Sequence, residues 1–194
     1  SEGNKKYILK DYEGAIEDFD KAIEIDPMYE SAYNSRGLAK NKLGKYFTAI
    51  QDYTTAIELN PDYSDAYYNK GISRDILNDV QGAIEDFSKA IELNPTFIVA
   101  YVKRGKIYEN MNNFENAISD FSKAIEINPD FAEVYFDRGN AKGNIADFKG
   151  AVEDFTIAIE LKPDYIKAYY NRGIIRRNIG NLNGALEDFN YVIE

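Results

Sequence analysis

"AIELNPDYSDAYYNKG", residues 56–71, returns almost unchanged as "AIELKPDYIKAYYNRG" at 158–173. The offset between them is three steps of 34 residues, and the same step governs the whole chain. Every proline obeys it, at Pro27, Pro61, Pro95, Pro129 and Pro163. So do a glycine column (Gly3, Gly37, Gly71, Gly105, Gly139, Gly173) and an alanine column (Ala15, Ala49, Ala83, Ala117, Ala151, Ala185). An aromatic column runs Phe19, Tyr53, Phe87, Phe121, Phe155 and Phe189. A fixed period of this length marks a repeat architecture, in which each unit buries its apolar face only against its neighbours.

Each unit reads as two helices. In the first, such as 98–111, Tyr101, Gly105 and Tyr108 share one helical face. In the second, such as 114–127, Ala117, Phe121, Ala124 and Ile125 share another. The residue after proline (Asp62, Thr96, Asp130, Asp164) is expected to cap the first helix. Gly44, Asn78, Asn112 and Gly180 stand between the two helices, where a left-handed C-cap belongs, whereas Lys10 and Ala146 break that rule. Glycine inside a helix costs about 1 kcal/mol against alanine. Its column is therefore expected to mark a close backbone approach, glycine facing alanine.

Composition excludes several function classes. The 194 residues are 44% hydrophobic and 29% charged, an ordinary globular balance. With no cysteine and no histidine there are no disulfides, no zinc–thiolate sites and neither of the commonest catalytic side chains. No phosphate-binding glycine loop or calcium loop occurs, so no cofactor, no metal site and no enzyme activity are expected. A net charge of -10 argues against nucleic acid as a partner. No apolar run has the length of a membrane span, and no signal-peptide pattern opens the chain, so no membrane partner is expected. A chain without thiols is at home in either redox environment.

The 34-residue period, with Gly, Tyr or Phe, two Ala and Pro in this order, resembles the tetratricopeptide repeat over the full length. The resemblance implies an all-α fold, a right-handed α-solenoid of antiparallel helix pairs whose first helices line a concave face. It divides residues 1–194 into a single array: a partial repeat 1–29, full repeats 30–63, 64–97, 98–131 and 132–165, and a near-complete repeat 166–194. It also implies a scaffold that binds a protein or peptide segment. One departure is consistent. Where the family usually has leucine before the glycine, this chain has Arg36, Lys70, Arg104, Arg138 and Arg172.

A buried base needs a counter-charge. An acidic column of the same period is available at Asp18, Asp52, Asp86, Asp120, Asp154 and Asp188. The expectation is a structural ion-pair ladder, with a functional anion site as the alternative. Glu2 fills the basic slot of the first, partial copy, which favours pairing each base with the aspartate of the preceding repeat.

The copies differ mainly on the first helix, about 100° round from the Tyr–Gly face, where solenoid proteins typically bind. In i, i+4 pairs this face reads Asn34/Leu38, Tyr68/Ile72, Val102/Lys106, Phe136/Asn140 and Tyr170/Ile174. Beside it lie Asn69, Lys103, Asp137 and Asn171, then Asp65, Val99, Glu133 and Lys167. Ile76, Asn110, Asn144, Asn178 and Arg177 mark its far end. Aromatic and aliphatic members suit pockets for partner side chains, and carboxamides can hold a peptide backbone through both donor and acceptor. The alternatives are core packing for the former and solvated helix surface for the latter. The five complete first helices carry a formal charge of +8 in a chain of -10, so a near-neutral groove with an acidic shell is expected.

Some family members clamp a C-terminal carboxylate with lysine, asparagine and arginine on three successive first helices. Asn69 and Lys103 fall at two matching places, but Asn34, Leu38 and Val99 fill the others, so this clamp is not expected. Two rival readings stand beside the groove. One is a structural array that associates weakly end to end, through Ala185, Phe189, Val192 and Ile193 at one end and Ile16, Phe19 and Ile23 at the other. The other is a substrate-recruiting region of a larger enzyme.

Overall fold

The structure, a computed structural model, describes residues 2–193. Glu194, where the last second helix is expected to finish, lies outside the described residues. All regular structure among them is α-helical. Helices α1 (Glu2–Ile8), α3 (Glu30–Lys42), α5 (Ser64–Ile76), α7 (Ile98–Asn110), α9 (Ala132–Asn144) and α11 (Ile166–Asn178) are the first helices of successive pairs. Helices α2 (Tyr12–Ile25), α4 (Tyr46–Leu59), α6 (Val80–Leu93), α8 (Phe114–Ile127), α10 (Phe148–Leu161) and α12 (Leu182–Ile193) are the second. The chain forms two compact units, residues 1–100 and 101–194.

In the first unit α1 packs on α2, α3 on α4 and α5 on α6, while α2–α3 and α4–α5 contacts join the pairs. In the second unit α9 packs on α10 and α11 on α12, joined through α8–α9 and α10–α11. The aromatic column supplies the largest buried side chains, Tyr53, Phe87, Phe121 and Phe155. These rings, not the alanines, explain the glycine column. A Cβ on Gly139 would stand 2.8 Å from the Phe155 ring, and one on Gly71 would stand 2.9 Å from Phe87. The close approach is therefore backbone to ring, correcting the expected glycine–alanine facing.

The turns also depart from expectation. Asp62, Thr96, Asp130 and Asp164 do not cap the first helices. The N-cap positions belong to Tyr63, Phe131 and Tyr165, which make no side-chain cap bond. Instead Asn60 Oδ1 accepts from the Asp62 N–H and Asn128 Oδ1 from the Asp130 N–H, so the asparagine before proline holds the turn. Side-chain caps sit on second helices: Asp11, Asp79, Asn113 and Asp147 accept from the N–H three residues on. Between the helices of a pair, Gly44, Asn78, Asn112 and Gly180 are left-handed as expected. Lys10 and Ala146 are left-handed too, each with φ of 63°. The same closing bond holds them, since Asp147 N–H donates to Lys142 C=O at 3.0 Å just as Asp79 N–H donates to Arg74 C=O at 2.8 Å.

The ion-pair ladder exists, but its pairing lies within each repeat. Arg36 donates to Asp52, Arg138 to Asp154 and Arg172 to Asp188, each through Nε and Nη2. Arg104 does the same to Asp120, and Lys70 lies 3.1 Å from Asp86. The preceding repeat is reached by the remaining guanidinium nitrogen, which donates to Asp20, Ser122 or Thr156 from Arg36, Arg138 and Arg172. A second base, one helical turn on, completes most carboxylates: Lys40 on Asp52, Arg74 on Asp86, Lys142 on Asp154 and Arg176 on Asp188. Asp18 is held by Lys6 at 2.8 Å, not by Glu2. With these charges engaged in tying helices together, the column is a structural element and not an open anion site.

The expected apolar stripes at the ends are also redistributed. Ala185 is buried and Phe189 half-buried, packed on Gly173, while Leu182, Leu186, Tyr191 and Ile193 of α12 are exposed. Phe19 is buried against Gly3 of α1.

Candidate peptide-binding surface

In the first unit the varied face of α3 and α5 is closely knit. Asn34 is only 6% exposed. Its Nδ2 donates to Tyr63 Oη at 3.2 Å, and its Oδ1 accepts from Asn69 Nδ2 at 3.0 Å. Its carboxamide is thus committed to its neighbours, and it acts as a prop for Asn69. Tyr68 is half-buried between Phe87 and Phe97, with ring centroids 5.6 and 5.0 Å away, and burial pushes its hydroxyl pKa up. Leu38 and Ile72 are half-buried as well.

The second unit is more open. Phe136 is half-buried against Phe155 and Tyr165, at 5.8 and 5.0 Å. Tyr170 leans on Phe189 at 6.1 Å but remains 51% exposed. A cleft of about 380 Å³ lies beside Phe136, with Val102, Val134, Phe131 and Tyr165 as apolar walls and Lys106, Glu133, Asp137 and Lys167 as charged ones. Asp137 is buried and pairs with Lys106 at 2.7 Å; burial raises its pKa while Lys106 opposes the shift. Lys103 is exposed.

A larger cleft, about 440 Å³, lies further along α9 and α11, lined by Asn140, Gly143, Asn144, Asn171, Ile174, Ile175 and Glu109 among others. Asn171 Nδ2 donates to Asn140 Oδ1 at 2.7 Å, and Asn144 Nδ2 donates to the Asn140 carbonyl at 2.9 Å. Asn140, Asn171 and Ile174 therefore meet at one place, whereas Asn34 and Asn69 meet in the other unit. Glu109 and Gly143 are not reached by the sequence reading. Both belong to the column Asn41, Asp75, Glu109, Gly143 and Arg177, whose swing from acid to nothing to base is the signal that points to them. The aromatic column Tyr63, Phe97, Phe131, Tyr165 likewise escapes it, though the same step of 34 residues betrays it.

Tetratricopeptide repeat profiles match residues 64–97, 98–131 and 132–165, and a TPR repeat profile matches 3–44 and 39–73. The chain belongs to the tetratricopeptide repeat family. A comparison with curated protein sequences finds no match. Among solved structures, MamA is similar at 29% identity and a TM-score of 0.79, over 86% of this chain and 98% of that one. YrrB, described as a TPR protein with an unusual peptide-binding site, is similar at 23% identity and a TM-score of 0.82, over 90% of each chain. The C-terminal part of a TPR repeat-containing protein from Cytophaga hutchinsonii matches at 22% and 0.86, over 98% of this chain and 76% of that one. The TPR fold is thus established as an all-α solenoid of helix pairs, the architecture of a family of protein-interaction scaffolds.

Proposed function

We propose that this TPR protein is a scaffold whose first-helix surface binds an extended peptide segment of a partner protein, with the principal contacts in the 101–194 unit. The observation that carries the reading is the combination at α9 and α11: exposed Tyr170 and half-buried Phe136 stand beside carboxamide atoms that no other side chain engages among the described residues, Asn140 Nδ2, Asn144 Oδ1 and Asn171 Oδ1. Such atoms can donate to and accept from a peptide backbone, while Val102, Phe136 and Ile174 receive side chains. Tyr68, Asn69, Ile72 and Leu38 offer the same chemistry within the 1–100 unit, and in the 101–194 unit Lys103 is an exposed base while Lys106 is paired with Asp137. The described binding site of YrrB supports the assignment by analogy. Affinity is expected to be roughly micromolar, as for small transient interfaces.

The test is capture of partner peptides by the purified chain, repeated with Phe136→Ala/Tyr170→Ala. Binding should fall below detection while circular dichroism is unchanged. Undiminished binding by the double variant would move the site elsewhere. A second reading, weak self-association, is favoured by exposed Leu182, Leu186 and Ile193 on α12. Sedimentation over a wide concentration range tests it, and a monomer throughout would dismiss it.

A further inference from the structure

We infer that the cleft beside Gly143 is a subsite for a basic side chain, lysine or arginine, of the bound peptide, with Glu109 as its counter-charge. This deepens the peptide-binding reading and rests on it.

Glu109, in the last turn of α7, is half-buried and lines the cleft, yet its carboxylate makes no hydrogen bond or ion pair among the described residues. Burying a carboxylate without a partner is unfavourable, and the group offers only acceptors. The nearest source of relief is already taken, because Lys106 is drawn 2.7 Å from Asp137. Burial, with the negative field of Asp137 added to it, raises the Glu109 pKa against the opposing pull of Lys106.

The hydrogen-bonding inventory of the cleft admits the same kind of occupant. Asn144 and Asn171 each spend one of two amide N–H groups on Asn140, and Oδ1 of both is an open acceptor among the described residues. The amide N–H groups left over on Asn140, Asn144 and Asn171 suit a peptide carbonyl, but the Glu109 carboxylate is met only by a donor. An occupant that satisfies a carboxylate and two amide oxygens must bring several N–H groups. An ammonium has three donors and no acceptor, a guanidinium five and none. A carboxylate or phosphate would meet acceptors and like charge. Ile174 and Ile175 on the opposite wall suit the methylene stem that lysine and arginine both carry.

Space is provided by Gly143. Other copies place Asn41, Asp75 or Arg177 in its column. A Cβ at Gly143 would meet only Ile175 Cδ1, at 3.4 Å, so packing does not require the glycine and its absent side chain leaves the cleft open.

The test uses random peptides displayed on phage and selected on the full chain, then re-measured one by one on variants. Peptides that need Phe136 and Tyr170 should share a lysine or arginine at one position. Replacing that residue by norleucine or citrulline should weaken binding about tenfold to a hundredfold in the natural chain. In Glu109→Gln the same replacement should change it less than about twofold. Gly143→Gln, which fills the cleft, should remove the basic preference while circular dichroism stays unchanged. Peptides that depend on Phe136 and Tyr170 without a basic preference, or with one that survives Glu109→Gln, overturn the subsite and leave the peptide-binding reading standing. If no selected peptide depends on Phe136 and Tyr170, both fall.

Discussion

Arg172 and Asp188 face each other across the two helices of one repeat, with Nε 3.1 Å and Nη2 2.6 Å from a carboxylate that is 2% exposed. Arg176 completes it from one turn further on, at 3.0 Å. The motif recurs at Asp52, Asp86 and Asp154, each between two bases. Asp120 differs. Its second base position is Tyr108, whose ring instead lies 5.9 Å from the Arg104 guanidinium, so Arg104 is its one cation among the described residues.

That difference sets the first prediction. Removing the sole partner of a buried charge costs about 3–5 kcal/mol. Arg104→Leu should approach this value in denaturant melts. Arg138→Leu should cost less, about 1–3 kcal/mol, because Lys142 still holds Asp154 at 2.9 Å. Tyr108→Lys should recover part of the Arg104→Leu loss by restoring the missing base. Equal losses in the two single variants would mean that the second base contributes nothing.

A second prediction compares two glycines one turn apart on α9. Gly139→Ala gains helix propensity but drives a methyl to 2.8 Å from the buried Phe155 ring. Overpacking of this kind costs about 1–3 kcal/mol, which outweighs the gain of about 1 kcal/mol from propensity. Gly143→Ala makes only an ordinary contact with Ile175 and keeps the propensity gain. Thermal melts should therefore shift in opposite directions, down for Gly139→Ala and up for Gly143→Ala.

The period made the helix pairs legible, because each column is a packing constraint repeated in every copy. Gly139 and Phe155 are visible as columns, but which column meets which depends on how one helix lies on the other. The columns alone therefore allow glycine to face alanine as well as the ring. The expected pairing of Arg36 with the preceding repeat's Asp18 fails for a related reason: Asp18 and Asp52 lie at comparable sequence distance, and only the direction of the side chain decides for Asp52. The surface was legible as variation, but variation does not tell exposure. Asn34 and Asn140 look alike in sequence, yet a tyrosine hydroxyl and Asn69 engage the first while an open cleft flanks the second.

The third prediction concerns the turn between α9 and α10. Ala146 sits at φ of 63°, where a Cβ costs an L-residue roughly 1–2 kcal/mol. Ala146→Gly removes that strain but loosens the unfolded chain, which returns about 0.4–1 kcal/mol. The net should be a gain of about 0.5–1 kcal/mol in urea melts. Gly180→Ala, at φ of 83° in the next repeat, should lose stability. A loss of stability in Ala146→Gly would show that this turn tolerates alanine without strain.

The last prediction treats Glu109 as a residue kept for binding at a cost in stability. Burial and the nearby Asp137 raise its pKa above the usual 4.5, with Lys106 pulling the other way. A carboxyl with a folded pKa above its unfolded one binds its proton more tightly in the folded state. Its ionised form therefore burdens the fold once the pH exceeds both values, and the burden lifts as pH falls through the folded pKa and then the unfolded one. Glu109→Gln keeps the shape and removes the charge. It should be more stable than the natural chain at neutral pH, and the gap should close as the solution is acidified below pH 4.5. Asp137 titrates in the same direction, but it is present in both proteins and cancels from the difference to first order. Urea midpoints of the two proteins across the acid range measure this directly. A gap that is independent of pH would mean that the Glu109 charge is not what the substitution relieves.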